Sequence, residues 1–444
     1  MAFGLVTPFH VVAGWVFISI WLVTLLHLLA GRPNPGVIGA ALLVVLMVMA
    51  LPRASRHIRV LFALLFVATL AVVLRAGNSD TIVNSLASAA VIAAFLPTLI
   101  VVRVAVESSP TIPRIRERIS AMEPAERKAW VSAGAHLLGS ILTLGYVSIQ
   151  RPMLPAKLES EEAVELAECG VRGLGISVVW SPFFVATAVA SQLVPGVPAW
   201  QLILTGLGLA VFGGVIAHLM FNRGLTWQGL MHALKRLSPT VPPTLILVGS
   251  VALCSTLTGW SGVQSIVFVV PALCFSFLLW QSPRQIGEAI SRIVEGAGRM
   301  GDELLIMTGS MVFAGSIAGA TLPEDARQLL LNLIDWPVLL IIAEVTVIAL
   351  LGAMGVHPMI TAAMLIPATA LIGAPIAAPI LAQMVVLAWS INSTTSAWTL
   401  PCVVTANGFG IPLRRLVLGR NIAFVVAFGL VSCAALAVLN HFLL

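Results

Sequence analysis

Leu137-Leu138-Gly139, Leu154-Pro155-Ala156, Trp180-Ser181 and Gly196-Val197-Pro198 follow one another through the first half of the chain. Leu350-Leu351-Gly352, Ile366-Pro367-Ala368, Trp389-Ser390 and Gly410-Ile411-Pro412 follow in the same order through the second half, and the spacings differ by only a few residues at each step. Each anchor alone is common in apolar helices. Four in register indicate a duplicated unit, and in a hydrophobic chain such duplication points to a secondary transporter built from structural repeats.

Composition sets the class. Apolar residues make up 59% of the 444, charged residues 9%, and the mean hydropathy is +1.04. Soluble domains carry about 25% charged residues, so this chain is expected to be an integral, multi-pass membrane protein. Long apolar runs such as 61–73 and 266–279 lack period-2 alternation, which favours helices over a barrel. The net charge of +6 sits in short loops, where it sets orientation, and no nucleic-acid partner is expected. The five cysteines have no CxxC spacing and read as packing residues, so no metal site or disulfide framework is predicted. Residues 1–30 lack a basic n-region, which predicts a retained first helix.

At about 20 residues per span, the predicted spans are 12–30, 36–51, 59–75, 82–105, 200–222, 243–260, 262–280, 303–321 and 418–443. Five basic segments, around Arg53, Arg114, Lys235, Arg292 and Arg414, are placed in the cytoplasm by the positive-inside rule. The loops near Asn34, Asn78, Trp260 and Glu324 then lie outside, and the two sets alternate without conflict. The uncharged Gly196 loop falls outside, whereas the Gly410 loop, followed by Arg414, Arg415 and Arg420, falls inside. The two units therefore read as inverted, facing each other near the midplane.

The predicted organisation is an N-terminal helix in 1–35, a first repeat in 36–222, a cytoplasmic linker in 223–242 and a second repeat in 243–444. The first repeat holds an inner re-entrant hairpin at 130–155 and a broken helix at 170–195. The second holds an outer hairpin at 336–372 and a broken helix at 376–410. Irregular backbone at membrane depth requires a protein or water-filled lining, so these four pieces outline a cavity.

Candidate site residues follow from polar side chains against this apolar background. Ser390, Asn392, Ser393, Thr394 and Thr395 lie in one dense stretch, able to offer oxygens to a cation or donors to an anion; the alternative is interhelical hydrogen bonding. Gly355, His357 and Thr361 mark the outer hairpin tip and its following arm; His357 is either a proton carrier or a structural hydrogen-bonding group. At the inner hairpin, Ser148 and Arg151 are the candidates, Arg151 either pairing with an oxyanion or snorkelling to the surface. Ser181 precedes the helix-breaking Pro182, and Glu344 is a carboxylate within an apolar arm that either titrates with transport or pairs locally. The cluster Glu159, Glu161, Glu162, Glu165 and Glu168 reads as a solvated helix face, His136 as a packing residue, and 285–299 as an amphipathic helix lying at the cytoplasmic interface.

Gly355-Val356-His357-Pro358-Met359-Ile360-Thr361-Ala362-Ala363-Met364-Leu365-Ile366-Pro367 resembles the hairpin motif of the ion transporter superfamily, most closely of the divalent anion/sodium symporter type. The stretch 393–408 resembles that family's Thr-rich second half-helix. Val356-His357-Pro358 stands where that family has Ser-Asn-Thr, and the inner tip reads Leu144-Gly145-Tyr146, so the sodium signature is missing at both tips. The resemblance implies an elevator mechanism and a homodimeric scaffold. The expected function is secondary transport of a small carboxylate-type anion across the cytoplasmic membrane, coupled to H+ or Na+, with no further cofactor and no enzymatic activity. Export of a toxic oxyanion, cation/proton antiport, a channel and an enzyme acting on a lipid-linked substrate are the alternatives.

Overall fold

The computed structural model describes residues 8–30, 33–76, 80–108, 124–155, 158–221, 235, 238, 241–281, 283, 286–321, 323–332 and 336–444. Helices α1 (Pro8–Ala30), α2 (Pro33–Ala50), α3 (Arg56–Ala76) and α4 (Asp80–Glu107) open the chain. Helices α5 (Pro124–Leu142), α6 (Tyr146–Gln150), α7 (Ser160–Val178), α8 (Val185–Leu193) and α9 (Ala199–Phe221) complete the first half. The second half begins with α10 (Val241–Thr258), α11 (Gly262–Gln281), α12 (Ile286–Ala297), α13 (Gly301–Ala318) and α14 (Glu324–Asn332). It closes with α15 (Pro337–Ala353), α16 (Pro358–Ile372), α17 (Ala378–Thr395), α18 (Leu400–Phe409), α19 (Leu413–Val417) and α20 (Asn421–Leu443). No strand occurs among the described residues.

Among the described residues, eight helical segments are long and apolar enough to cross a bilayer. Leu74 on α3, Leu257 on α10, Trp280 on α11 and Phe442 on α20 are all more than 70% exposed. Apolar surface on this scale is stable only against lipid, and the chain is a polytopic helical membrane protein. The ninth expected span, 303–321, forms as helix α13 but lies outside that set of eight. It opens on Gly301-Asp302-Glu303 and carries Gly309, Ser310, Gly315 and Ser316, and it packs against α3, α4 and α16 in the interior.

Proline and glycine place the helix ends. Pro337 and Pro358 occupy the first turns of α15 and α16, where the missing N–H costs nothing. Gly410 ends α18 in the left-handed conformation (φ 67°), as expected of a C-terminal glycine cap. Helix α12 presents Ala289, Ile293, Val294 and Ala297 to the protein while Glu288 and Arg292 stay exposed. It lies along α1 and α4, as its amphipathic pattern predicts. The linker expected at 223–242 falls largely outside the described residues, as do Arg114, Arg116, Arg118 and Lys157.

Candidate functional site

Two interrupted helices form the centre of the molecule. In the first, α7 gives way at 179–184 before α8 resumes. Pro182 lies in that gap, has no N–H to continue the ladder, and disfavours helical backbone in the residue before it. In the second, α17 ends at Thr395, 396–399 are irregular, and α18 begins with Pro401 in its first turn.

One serine closes each gap in the same way. The Ser181 hydroxyl donates to the Ser140 carbonyl at the end of α5 and accepts the Phe183 N–H at 3.2 Å. The Ser396 hydroxyl donates to the Gly352 carbonyl at the end of α15 at 2.9 Å and accepts the Trp398 N–H at 3.3 Å. Both serines are 0–1% exposed. Each ties its gap to the adjacent hairpin and satisfies a backbone donor that the interruption would otherwise strand. Ser181 and Ser396 are separated by the same 215 residues as Gly175 and Ser390, which touch where α7 crosses α17, the Ser390 hydroxyl donating to the Gly175 carbonyl at 2.6 Å. A Cβ on Gly175 would collide with Thr394 Oγ1; only glycine permits this crossing.

The third expected anchor pair is thereby corrected. Trp180-Ser181 sits in the first gap, but Trp389-Ser390 lies within α17, before the second gap; the counterpart of Ser181 is Ser396. Within the expected broken helix, 376–410, the backbone is helical as far as Thr395, and the Thr394 and Thr395 hydroxyls return to the carbonyls of Ser390 and Ile391, both at 2.9 Å. Those bonds occupy hydroxyls that the sequence offered to a ligand. Ser393 is buried, and its carbonyl faces the Cys402 thiol at 3.5 Å. Asn392 is 1% exposed; its amide N–H group bonds the Ile348 and Ala388 carbonyls at 3.3 and 3.2 Å, and its Oδ1 has no protein partner.

Each gap has a hairpin against it. Helices α15 and α16, within the segment 336–372, pack on each other as one such hairpin, with Gly355 (φ 100°) at the turn packed on Trp398. His357 caps α16, its Nδ1 accepting the Met359 N–H at 3.3 Å, and its ring meets Trp389 edge-on at 5.3 Å. Thr361 is 2% exposed and its hydroxyl has no protein partner. Glu344 lies further along α15, where one carboxyl oxygen accepts the Thr369 hydroxyl and the other has no protein partner. The inner hairpin is less regular. Its return arm is only the short α6 and a 3-10 turn, 151–153, and Thr143 at its turn holds φ 50°. A non-glycine residue there is strained.

Arg151 is not at that turn. Its neighbour Gln150 bonds the Val131 carbonyl at 2.9 Å near the start of α5. Arg151 itself donates to the Pro155 carbonyl at 3.1 Å and faces the Phe409 ring at 5.9 Å. The side chain of Ser148 lies outside the described residues.

The acidic cluster is solvated at Glu159 and Glu161 but paired along its length and buried at Glu168. Glu162 pairs with Arg127 at 2.7 Å, Glu165 with Lys128, and Glu161 with Arg415 at 2.8 Å. Glu168, 2% exposed, accepts the Arg420 backbone N–H and Nε, both at 2.9 Å. These contacts fasten α7 to α5 and to the start of α20. One turn on, Arg172 is equally buried, donates to Asn421 Oδ1 at 2.9 Å and lies over the Phe221 ring at 3.8 Å. Sequence reading missed Arg172, although an arginine inside an apolar helix is itself a signal.

No family model matches the chain and no curated protein matches its sequence. Among solved structures it is similar to the YdaH transporter of Alcanivorax borkumensis, whose crystal structure was described as revealing an unusual topology. The TM-score is 0.56 at 14% identity, over 86% of this chain and 98% of that one. At that identity the likeness is one of fold: this is a polytopic membrane protein with the fold of a transporter. The comparison carries no substrate and no ion with it.

Proposed function

We propose that the protein is a secondary active transporter built from two inverted repeats, which moves a small carboxylate-type anion across the cytoplasmic membrane with H+ or Na+ by an elevator movement. The observation that carries this reading is the matched pair of gaps at Ser181 and Ser396. Contacts swap in the same sense: α7 packs on α18 while α17 packs on α8, and α4 packs on α11 while α13 packs on α3. Such exchange is expected of two copies related by a pseudo-two-fold axis, and the contrast between the uncharged Gly196 loop and the arginine-rich Gly410 loop supports an axis in the membrane plane. In this reading the two hairpins and interrupted helices move together against a scaffold containing α9 and α20, which dimerises.

Asn392 and Thr361 are the polar groups this reading assigns to substrate, since each carries a buried atom without a protein partner. Glu344 and His357 are the groups assigned to coupling. A second reading, cation/proton antiport, is favoured by one specific feature: the unpartnered atoms at Asn392 and Glu344 are oxygens, which suit a cation.

Thermal stability of the purified protein against organic anions, inorganic oxyanions and monovalent cations, with pH and sodium varied, distinguishes the two. A ligand at about 100 times its Kd adds about 2.7 kcal/mol when it binds only the folded state. Stabilisation by one carboxylate class, lost in Asn392→Ala, supports anion transport. Stabilisation by a cation alone favours antiport, and no response to any of them contradicts both.

A further inference from the structure

At the Arg-rich end of the bundle a cavity of about 290 Å³ opens between α1, α2 and the segment joining α12 to α13, and none of its lining residues belongs to the two interrupted helices. Its lining is divided by chemistry. Phe17, Ala13, Leu46 and Ala50 form an apolar wall, while Arg53, Arg299, Asp302 and Glu303 supply two positive and two negative groups. A water molecule takes about 30 Å³, so the space holds a group of roughly ten heavy atoms.

The walls of this cavity are fixed. Gly298 lies directly on the His10 carbonyl, where a Cβ would collide with backbone, and this contact locks the end of α12 to α1. The Arg53 guanidinium stands over the Phe9 ring at 3.9 Å. Asp302 Oδ1 accepts the Ser55 N–H at 3.3 Å and so holds the turn that carries Arg53. The amphipathic α12, apolar towards the protein and charged outwards, runs beside the opening, as a helix at the lipid–water boundary does. By the distribution of basic loops this boundary is the cytoplasmic one.

We infer that this cavity binds the zwitterionic headgroup of a phospholipid carrying a primary ammonium, drawn from the adjacent leaflet. Charges of both signs at the mouth match a phosphate and an ammonium together. Arginine is suited to the phosphate oxygens, and the carboxylates of Asp302 and Glu303 are suited to the three ammonium donors. A purely anionic headgroup would leave those carboxylates facing like charge. The phosphoethanolamine group has about eight heavy atoms, and the apolar wall inward of the charged mouth takes the glycerol carbon attached to it, which is why a membrane lipid, rather than a soluble zwitterion, is the occupant.

The test is binding of short-chain phosphatidylethanolamine, phosphatidylcholine and phosphatidylglycerol, and of free phosphoethanolamine, to the full-length protein in detergent, read by native mass spectrometry and thermal shift. Phosphatidylethanolamine is expected to bind at least tenfold more tightly than the other two lipids and than the free headgroup. Arg53→Gln and Asp302→Asn are each expected to weaken it at least tenfold. Asn at 302 still accepts the Ser55 N–H, so this variant keeps the fold if loss of Arg53 does not. Equal binding of the three lipids, equal binding of free phosphoethanolamine, or unchanged binding by a folded Asp302→Asn protein would overturn the inference.

Discussion

The two interrupted helices share a backbone device and differ in what surrounds it. In α7–α8 the approach to the gap is charged and fastened: Glu162, Glu165, Glu168 and Arg172 all have partners in neighbouring helices. The gap itself is apolar, with Phe183 and Phe184 buried and the Trp180 indole bonded to His136 at 3.3 Å. In α17–α18 the approach is uncharged but polar, through Ser390, Asn392, Thr394 and Thr395, and one amide oxygen is left unbonded. The counterpart of Asn392, at the separation of the crossing pair, is Ser177, whose hydroxyl is spent on the Leu174 carbonyl at 2.7 Å. In the proposed reading the first unit anchors and the second recognises.

The largest expected effect breaks what the two share. Gly175→Val should cost about 3 kcal/mol by overpacking the crossing or abolish folded protein. Gly214→Val, at a position on α9 with open space around it, should leave the melting temperature unchanged. Next comes the anchoring side. Asn421→Ala strips the buried Arg172 of its side-chain acceptor and should cost about 2 kcal/mol, read by thermal unfolding in detergent.

The recognising side should respond in function rather than stability. Asn392→Ala is expected to lower flux at least tenfold in proteoliposomes, about 1.4 kcal/mol of transition-state binding, while Ser177→Ala leaves flux intact. Equal losses would erase the distinction between the units. The two serines should behave alike: Ser181→Ala and Ser396→Ala each remove one donated and one accepted bond, about 1 kcal/mol apiece, and a large inequality would sever the equivalence of the gaps.

The smallest effect lies at the exposed base of α7. The Lys128 ammonium bonded to Glu165 holds that carboxyl below its ordinary value of 4.5. A depressed folded pKa contributes stability that is present above about pH 4.5 and disappears as pH falls through the folded value. Because both partners are partly solvated, Lys128→Ala should cost less than about 1 kcal/mol at neutral pH and flatten the acid limb of the stability profile.

Much of the architecture was legible. The glycine after each second half-helix and the Pro-marked hairpin arms are local signals, and the structure has helix ends beside them; of the basic segments, the one around Arg292 lies within α12, and Arg114 falls outside the described residues. What the sequence concealed depends on distant chain. Burial of Glu168 is created by Arg420, 252 residues away, so its helix face reads as solvated until α20 is packed on it. Trp389-Ser390 mimics Trp180-Ser181 in composition, yet the second gap opens at Ser396, whose hydroxyl bonds the Gly352 carbonyl 44 residues away, a contact invisible in the local sequence. The depth of Arg151 turns on the length of the second hairpin arm; that arm is short, and Gln150 beside it bonds Val131 near the start of α5.

The opposed orientation of the two units is the central claim, and labelling tests it most directly. Pro195 and Pro412 are exposed, each beside the glycine loop that ends its unit's second half-helix. Pro195→Cys and Pro412→Cys, each in a background lacking the five native cysteines, would be treated with a membrane-impermeant maleimide in intact and permeabilised cells. Labelling of Pro195→Cys in intact cells, and of Pro412→Cys only after permeabilisation, is the predicted result. Labelling of both from the same side would contradict it.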